Sequence, residues 1–566
     1  MRIVSIFCTI FSFQSFANPR YLKSAGIDIS AQLKQETVPE SESESRDKVI
    51  QYIRNYVGDS GVEIGIQREG RYEFISFSFQ DRPFCLNRVK IVERKDGSFF
   101  LVGDLPDFKN LSYASLEAAS LDQLRKRVSE YFNDKVGFRE EFECLHIDSA
   151  SLKAAILMKV RTQRGDFKVL ADSREVFMSV PLAFDAPSFE RPVQELALPI
   201  DEKASSTGSM LAYEEMPVRT PLKTFAEPVS GDGTLTNDFF VTAISSSSRS
   251  VIPRALVPDL NFNFDTQDPR FGEVSVFVHA MKARNFFLSL GYKEYLEGLI
   301  VLSIHELFDK SPNNASYNPS SLSPYNQTAM LFGDGDGVRY GNFGMDPDVV
   351  THEFAHHVIF EHLYSNVEES AVLHEGLADF FSQTRRRTPC FAESIIIVSQ
   401  DESPICLRNA KNSVTYNSEF YKKNEVHSKS LIVSGLLWAM REAFGTDPAN
   451  KIVFNSLQYL SRNSGFKDFF VALLLSDQDQ FKAAHACSIL DMGKERGFSS
   501  FLSDIDCKNY ATVVSGKENG ETKKNPTSPS NKMKCGMISH NGVRYESWVF
   551  FLIPLLIFFL PRKKRY

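Results

Sequence analysis

Asp346-Pro347-Asp348-Val349-Val350-Thr351-His352-Glu353-Phe354-Ala355-His356-His357 is the run on which the reading of this chain turns. Asp346 suits a helix N-cap, Pro347 suits the first helical position, and Asp348 meets the positive end of the helix dipole, so a helix is expected to start here. On that helix His352 and His356 stand about one turn apart on one face, where two imidazoles can hold a single metal ion. Glu353 lies beside them, close enough to take a proton from a metal-bound water without being a ligand. The third ligand is expected at Glu375, after eighteen residues intervening from His356, in the apolar helical pattern of 371–380. Asp379, one turn further, shares its face and is placed to accept a hydrogen bond from a ligand histidine. The expected ion is one catalytic zinc, because three protein ligands leave a fourth position open for chemistry.

Working outward, 566 residues are too many for one ordinary domain and predict two or three folded units with appendages. A hydrophobic fraction of 43% and a charged fraction of 24% are those of a globular protein. The net charge of -7, with no Lys/Arg stripe before the last residues, argues against a nucleic-acid partner. Arg2, the apolar run 3–13 and the small-x-small site Ser15-Phe16-Ala17 read as a signal peptide, residues 1–17, and hence export. Seven cysteines remain after its removal, and the first six can form three sequence-neighbour pairs, leaving Cys535 over. No CxxC pair occurs, so a cysteine zinc site is not supported.

Residues 18–47 are polar, with a Ser/Glu run at 41–45, and are expected to be mobile. A small α+β unit is expected over 48–187, with a helix near 116–132 and strands near 99–102 and 167–170. Five prolines and a Ser-Ser-Thr-Gly run give 188–230 the composition of a linker. A larger unit over 231–510 follows, with helices near 273–290, 347–363, 367–386, 427–444 and 466–475. Residues 511–545 read as a polar tether. The last segment, 546–566, holds an apolar run ending in Arg562-Lys563-Lys564-Arg565 and reads as a membrane anchor or sorting signal.

The segment Met330-Leu331-Phe332-Gly333-Asp334-Gly335-Asp336-Gly337, with Asp348-Val349-Val350-Thr351-His352-Glu353 after it, resembles the thermolysin-like metallopeptidases, with some likeness to the fungalysin family. Counted from Asp334, position twelve is Met345, which excludes an EF-hand, and the glycine-rich segment reads as a hairpin turn. The likeness spans about 231–507, and the unit before it resembles the family's inhibitory propeptide. The resemblance implies an α+β fold: a small mixed propeptide, then a catalytic unit with a β-rich first half and a helical second half, the zinc between them. It implies a secreted endopeptidase made as an inhibited precursor, with protein or peptide substrates and its own propeptide as partners.

Residue by residue, the resemblance makes His427 the candidate for stabilising the oxyanion and Arg408 the candidate for gripping the substrate carbonyl. It places Asn314 and Ala315 on an edge strand that holds substrate backbone, and Val349 and Leu407 on the pocket for the residue after the scissile bond. Three departures stand out. The oxyanion tyrosine has no clear match, Tyr364 being nearest. Lys422 occupies the position of the aspartate that supports the histidine. Arg386 stands where a calcium-binding glutamate is usual, which argues against calcium although Asp348 is kept.

Two other readings compete. The spacing HExxH-x18-E is also that of zinc aminopeptidases, but no GxMEN-type segment for a substrate amine occurs upstream. A catalytically idle surface-binding module on the same fold is the other, and the intact Glu353 argues against it.

Overall fold

The computed structural model describes residues 27–28, most of 42–181 and most of 206–511. The expected signal peptide and C-terminal apolar segment lie outside the described residues, as do 512–545 of the tether. Among the described residues no helix is long and apolar enough to cross a membrane.

A ten-stranded sheet forms the first part. Its path runs β1 (Ile27–Asp28), β5 (Phe99–Gly103), β4 (Arg82–Glu93), β7 (Gly137–Asp148), β8 (Ser151–Thr162), β9 (Gly165–Ala171) and β10 (Val176–Pro181). β2 (Val62–Glu69) pairs with β3 (Tyr72–Phe79), β3 with β4, and β6 (Ser112–Tyr113) with β8. Two helices cover it. α1 (Glu42–Val57) lays Val49, Ile53 and Val57, one turn apart, on Ile75, Phe77 and Leu101. α2 (Leu121–Phe132) does the same with Leu124, Val128 and Phe132 against Met158 and Val169. The polar run expected to be mobile to residue 47 is helical from Glu42, since glutamates near a helix amino end favour it.

The expected linker is also partly ordered. β11 (Ser206–Tyr213) and β12 (Leu222–Val229) form a hairpin, and β11 adds β14 (Asn261–Phe262) of the larger unit. Alternation in β11 buries Met210 and Ala212, and β12 is the outer strand, where Pro228 is tolerated. Proline content alone hid this hairpin.

In the larger unit, β13 (Phe240–Ile244), β15 (Ile300–Ile304), β17 (Ala329–Phe332) and β16 (Ala315–Asn318) form a sheet in that order, so β16 is an edge strand. The glycine-rich segment after β17 is not a hairpin turn between strands. It is a loop in which the Asp336 carboxylate accepts from the amides of Val338, Arg339 and Tyr340 before the chain enters the next helix. The helical half comprises α3 (Phe271–Leu290), α4 (Pro347–Phe360), α5 (Glu368–Arg386), α6 (Leu431–Phe444), α7 (Thr446–Ser456), α8 (Phe466–Phe481) and α9 (Ala486–Glu495). α3 is apolar nearly all round, as suits a helix buried between the sheet and α4.

One apolar core spans both halves of this unit and takes in Val92, Phe100 and Val102 from the first part. At the same junction Phe100 meets Tyr459 edge to face, Arg94 pairs with Asp479 at 2.6 Å, and the Lys90 ammonium donates to the Leu460 carbonyl at 2.6 Å. Three disulfides, Cys85–Cys144, Cys390–Cys406 and Cys487–Cys507, match the sequence-neighbour pairing.

Candidate metal centre

α4 starts as its sequence requires. The Asp346 carboxylate accepts from the amides of Asp348 and Val349 at 2.8 and 3.2 Å, and Pro347 takes the first position. Such a cap contributes on the order of 1 kcal/mol to the helix that carries His352 and His356. α5 packs against α4 and brings Glu375 opposite the two histidines.

The three candidate ligands form a tight triangle. His352 Nε2 lies 3.0 Å from His356 Nε2 and 3.3 Å from Glu375 Oε2, and His356 Nε2 lies 3.5 Å from Glu375 Oε1. Tetrahedral ligands at zinc bond lengths of about 2.0–2.1 Å stand about 3.3–3.4 Å apart, so the donor set and spacing fit a zinc ion. All three residues are buried, and among the described residues theirs is the cluster whose ligand atoms converge within 4.8 Å.

The surroundings orient both imidazoles. His352 Nδ1 is 3.0 Å from Asp379 Oδ1, and Asp379 is in turn held by Arg408. Burial opposes a charge on His352, yet the carboxylates of Asp379 and Glu375 push its pKa up to about 9 without metal. Burial would raise the pKa of Asp379 too, but Arg408 and His352 bring it down to about 2. His356 Nδ1 lies 2.8 Å from His374 Nδ1, the two rings stacked at 4.8 Å. One of those nitrogens must carry the proton. With His356 Nε2 turned to the metal site, the proton belongs on His356 Nδ1 and His374 accepts it. Burial, with the neighbouring His352 and His374, drives the His356 pKa well down, which keeps that imidazole neutral.

His374 was missed in the sequence, although it stands directly before Glu375. So was Glu425. His427, at the short helical turn Val426–Lys429, places Nε2 3.6 Å from Glu375 Oε2 and Nδ1 2.8 Å from Glu425 Oε2. The supporting carboxylate is therefore two residues before His427. Lys422, at the expected position, pairs with Glu419 instead. Hydrogen bonds from His427 and Ser428 lower the pKa of Glu425 against the effect of burial. Tyr364 lies outside the described residues.

A cleft of about 50 Å³ joins these groups. Asn314, Ala315, Val349, Leu407, Arg408 and His427 line it together with His352 and Glu353, while Asp379 stands behind His352 outside it. Phe343 and Phe391, not foreseen, complete the wall. Phe391 packs on the His352 ring at 5.1 Å and under the Arg408 guanidinium at 4.3 Å. A roomier cavity of about 460 Å³ near Trp438 has Glu442 as its one carboxylate and no histidine or cysteine, so it does not compete as a metal site.

Comparison with known proteins agrees with this geometry. Residues 263–360 match the family model described as thermolysin metallopeptidase, catalytic domain. The chain is 26% identical over 261 residues to a bacillolysin of Bacillus amyloliquefaciens, covering 42% of this chain and 46% of that protein. It is 26% identical over 274 residues to neutral protease NprE of Bacillus pumilus, covering 45% of this chain and 80% of that protein. The match thus spans about half the length of the bacillolysin. Among solved structures, the precursor of protealysin, a metalloproteinase from Serratia proteamaculans, is similar over 46% of this chain and 87% of its own, with 16% identity and a TM-score of 0.38. The HExxH helix thus falls within a stretch similar to the thermolysin metallopeptidase catalytic domain, and the cluster of His352, His356 and Glu375 fits that likeness.

Proposed function

We propose that the chain is an exported zinc endopeptidase made as a precursor, hydrolysing peptide bonds of proteins. The observation that carries this reading is the convergence of His352, His356 and Glu375 in a cleft that also holds Glu353, Arg408 and His427. A zinc ion held there by His352, His356 and Glu375 would lower the pKa of a bound water toward about 7 and polarise the substrate carbonyl. Glu353 takes the proton of that water and delivers it to the leaving amine. His427, held by Glu425, donates to the oxyanion as charge develops on it. Asn314 and Ala315, at the start of the edge strand β16, receive substrate backbone by strand addition. Phe343, Val349, Phe391 and Leu407 form an apolar wall suited to a hydrophobic residue after the scissile bond.

In the same reading, residues 1–17 direct export and 48–187 act as an inhibitory propeptide. A cut within 188–230 activates the enzyme, and 546–566 attach it to the cell envelope. The decisive experiment compares the chain with its Glu353→Gln variant on an internally quenched peptide and on an aminoacyl amide. Cleavage of the peptide by the parent alone, with zinc retained by both, supports the proposal. Cleavage of the amide only would make it an aminopeptidase, and inactivity of the zinc-loaded parent on both would make it a binding module.

A further inference from the structure

Family resemblance implies calcium near Asp348, and the residues present do not fit that ion. Asp348 and Asp346 are both fully buried beside the start of α4. Asp348 Oδ2 accepts from Arg386 Nη1 at 2.9 Å and from the Ala392 amide at 3.0 Å, with the Ser382 hydroxyl 3.4 Å from Oδ1. Arg386 Nη2 donates to Glu393 Oε1 at 3.1 Å. The Asp346 oxygens are occupied by the helix cap and the Ser394 hydroxyl. Arg385 stands alongside, 3.4 Å from the Pro347 carbonyl.

Calcium needs six to eight oxygen ligands at about 2.3–2.6 Å. Here the oxygens that would supply them already accept from nitrogen or hydroxyl donors, and a doubly charged ion would sit against a buried guanidinium. The pair also lies where the helix dipoles want it. Asp348 is in the first turn of α4 and Arg386 is the last residue of α5, so an acid at one amino end meets a base at one carboxyl end. Ala392, at φ 53°, turns its amide onto the same carboxylate.

We propose that the Arg386 guanidinium is a built-in cation that takes the place of calcium and locks α4 to α5, the two helices that carry His352, His356 and Glu375. Calcium then has no structural role at this junction. In support, burial pushes the Asp348 pKa up to about 7, and Arg386 is the strongest influence holding it down. The inference does not depend on the proposed activity, because its readout is the thermal midpoint and not turnover.

The test uses the full zinc-loaded chain carrying Glu353→Gln, so that self-digestion cannot intervene. Its unfolding midpoint is expected to move by less than about 1 °C when calcium is raised to about 10 mM, well above the dissociation constants of extracellular calcium modules. Arg386→Met in the same background is expected to melt several degrees lower with or without calcium. Arg386→Glu is expected to melt lower still without calcium and to regain part of the loss with it. A calcium-induced rise of more than about 3 °C in the Arg386 protein would overturn the proposal. So would an Arg386→Met variant that melts with the parent.

Discussion

Arg408 closes a two-pronged pair on Asp379, its Nε and Nη2 each 2.7 Å from a carboxylate oxygen, and the same carboxylate faces His352 Nδ1 at 3.0 Å. A residue that touches the cleft is thus joined through one buried acid to a metal ligand. Arg408→Met should therefore do more than weaken substrate binding, because it leaves Asp379 buried without its cation. Breaking a buried pair from one side costs about 3–5 kcal/mol of stability, and disturbing a ligand's outer partner costs about 10–100-fold in metal affinity. Zinc titration and chemical denaturation of the variant check both. A change confined to KM, with zinc affinity intact, would leave Arg408 as a substrate contact only.

Glu425 and Lys422 offer a clean contrast near His427. His427→Ala is expected to lower kcat by about 10²–10³, the usual cost of an oxyanion donor. Glu425→Gln should lower kcat less, since the imidazole stays but loses the carboxylate that orients it. Lys422→Ala should leave kcat unchanged, its partner being Glu419 on the surface. If Lys422→Ala slows turnover as much as Glu425→Gln, the assignment of the supporting carboxylate is wrong.

His374 is expected to act through His356. His374→Asn keeps an acceptor for the His356 Nδ1 proton and should hold zinc within a few-fold of the parent. His374→Leu removes the acceptor and should lose about 10–100-fold in zinc affinity. Competition against a chromophoric chelator measures both, and equal affinities would show that only ring packing matters.

The junction of the first part with the catalytic half rests on the Arg94–Asp479 pair, in which both side chains are 5% exposed. Asp479 also accepts from the Tyr459 hydroxyl, and Gln478 accepts from Arg94 at 2.8 Å. Arg94→Ala should destabilise the chain by about 3–5 kcal/mol, while the double change Arg94→Met with Asp479→Leu should recover much of it. Thermal midpoints of the three proteins decide the matter. A single variant as stable as the parent would remove the pair from the account of how the units hold together.

Local chemistry was enough for the sequence alone to determine the helix start at Asp346-Pro347, the four-residue spacing of His352 and His356, and the apolar helix around Glu375 and Asp379. Each of these depends on residues within a few turns of one another, where helix geometry translates spacing directly into position. Tertiary structure decided the rest. His374 meets His356 across 18 residues, Arg408 meets Asp379 across 29, and Arg386 meets Asp348 across 38. Nothing in spacing announces contacts at such separations, because the packing of one element on another sets them. The hairpin β11–β12 was hidden for a different reason: its prolines read as linker, although the two strands pair along their length and β14, some 50 residues on, joins their inner side.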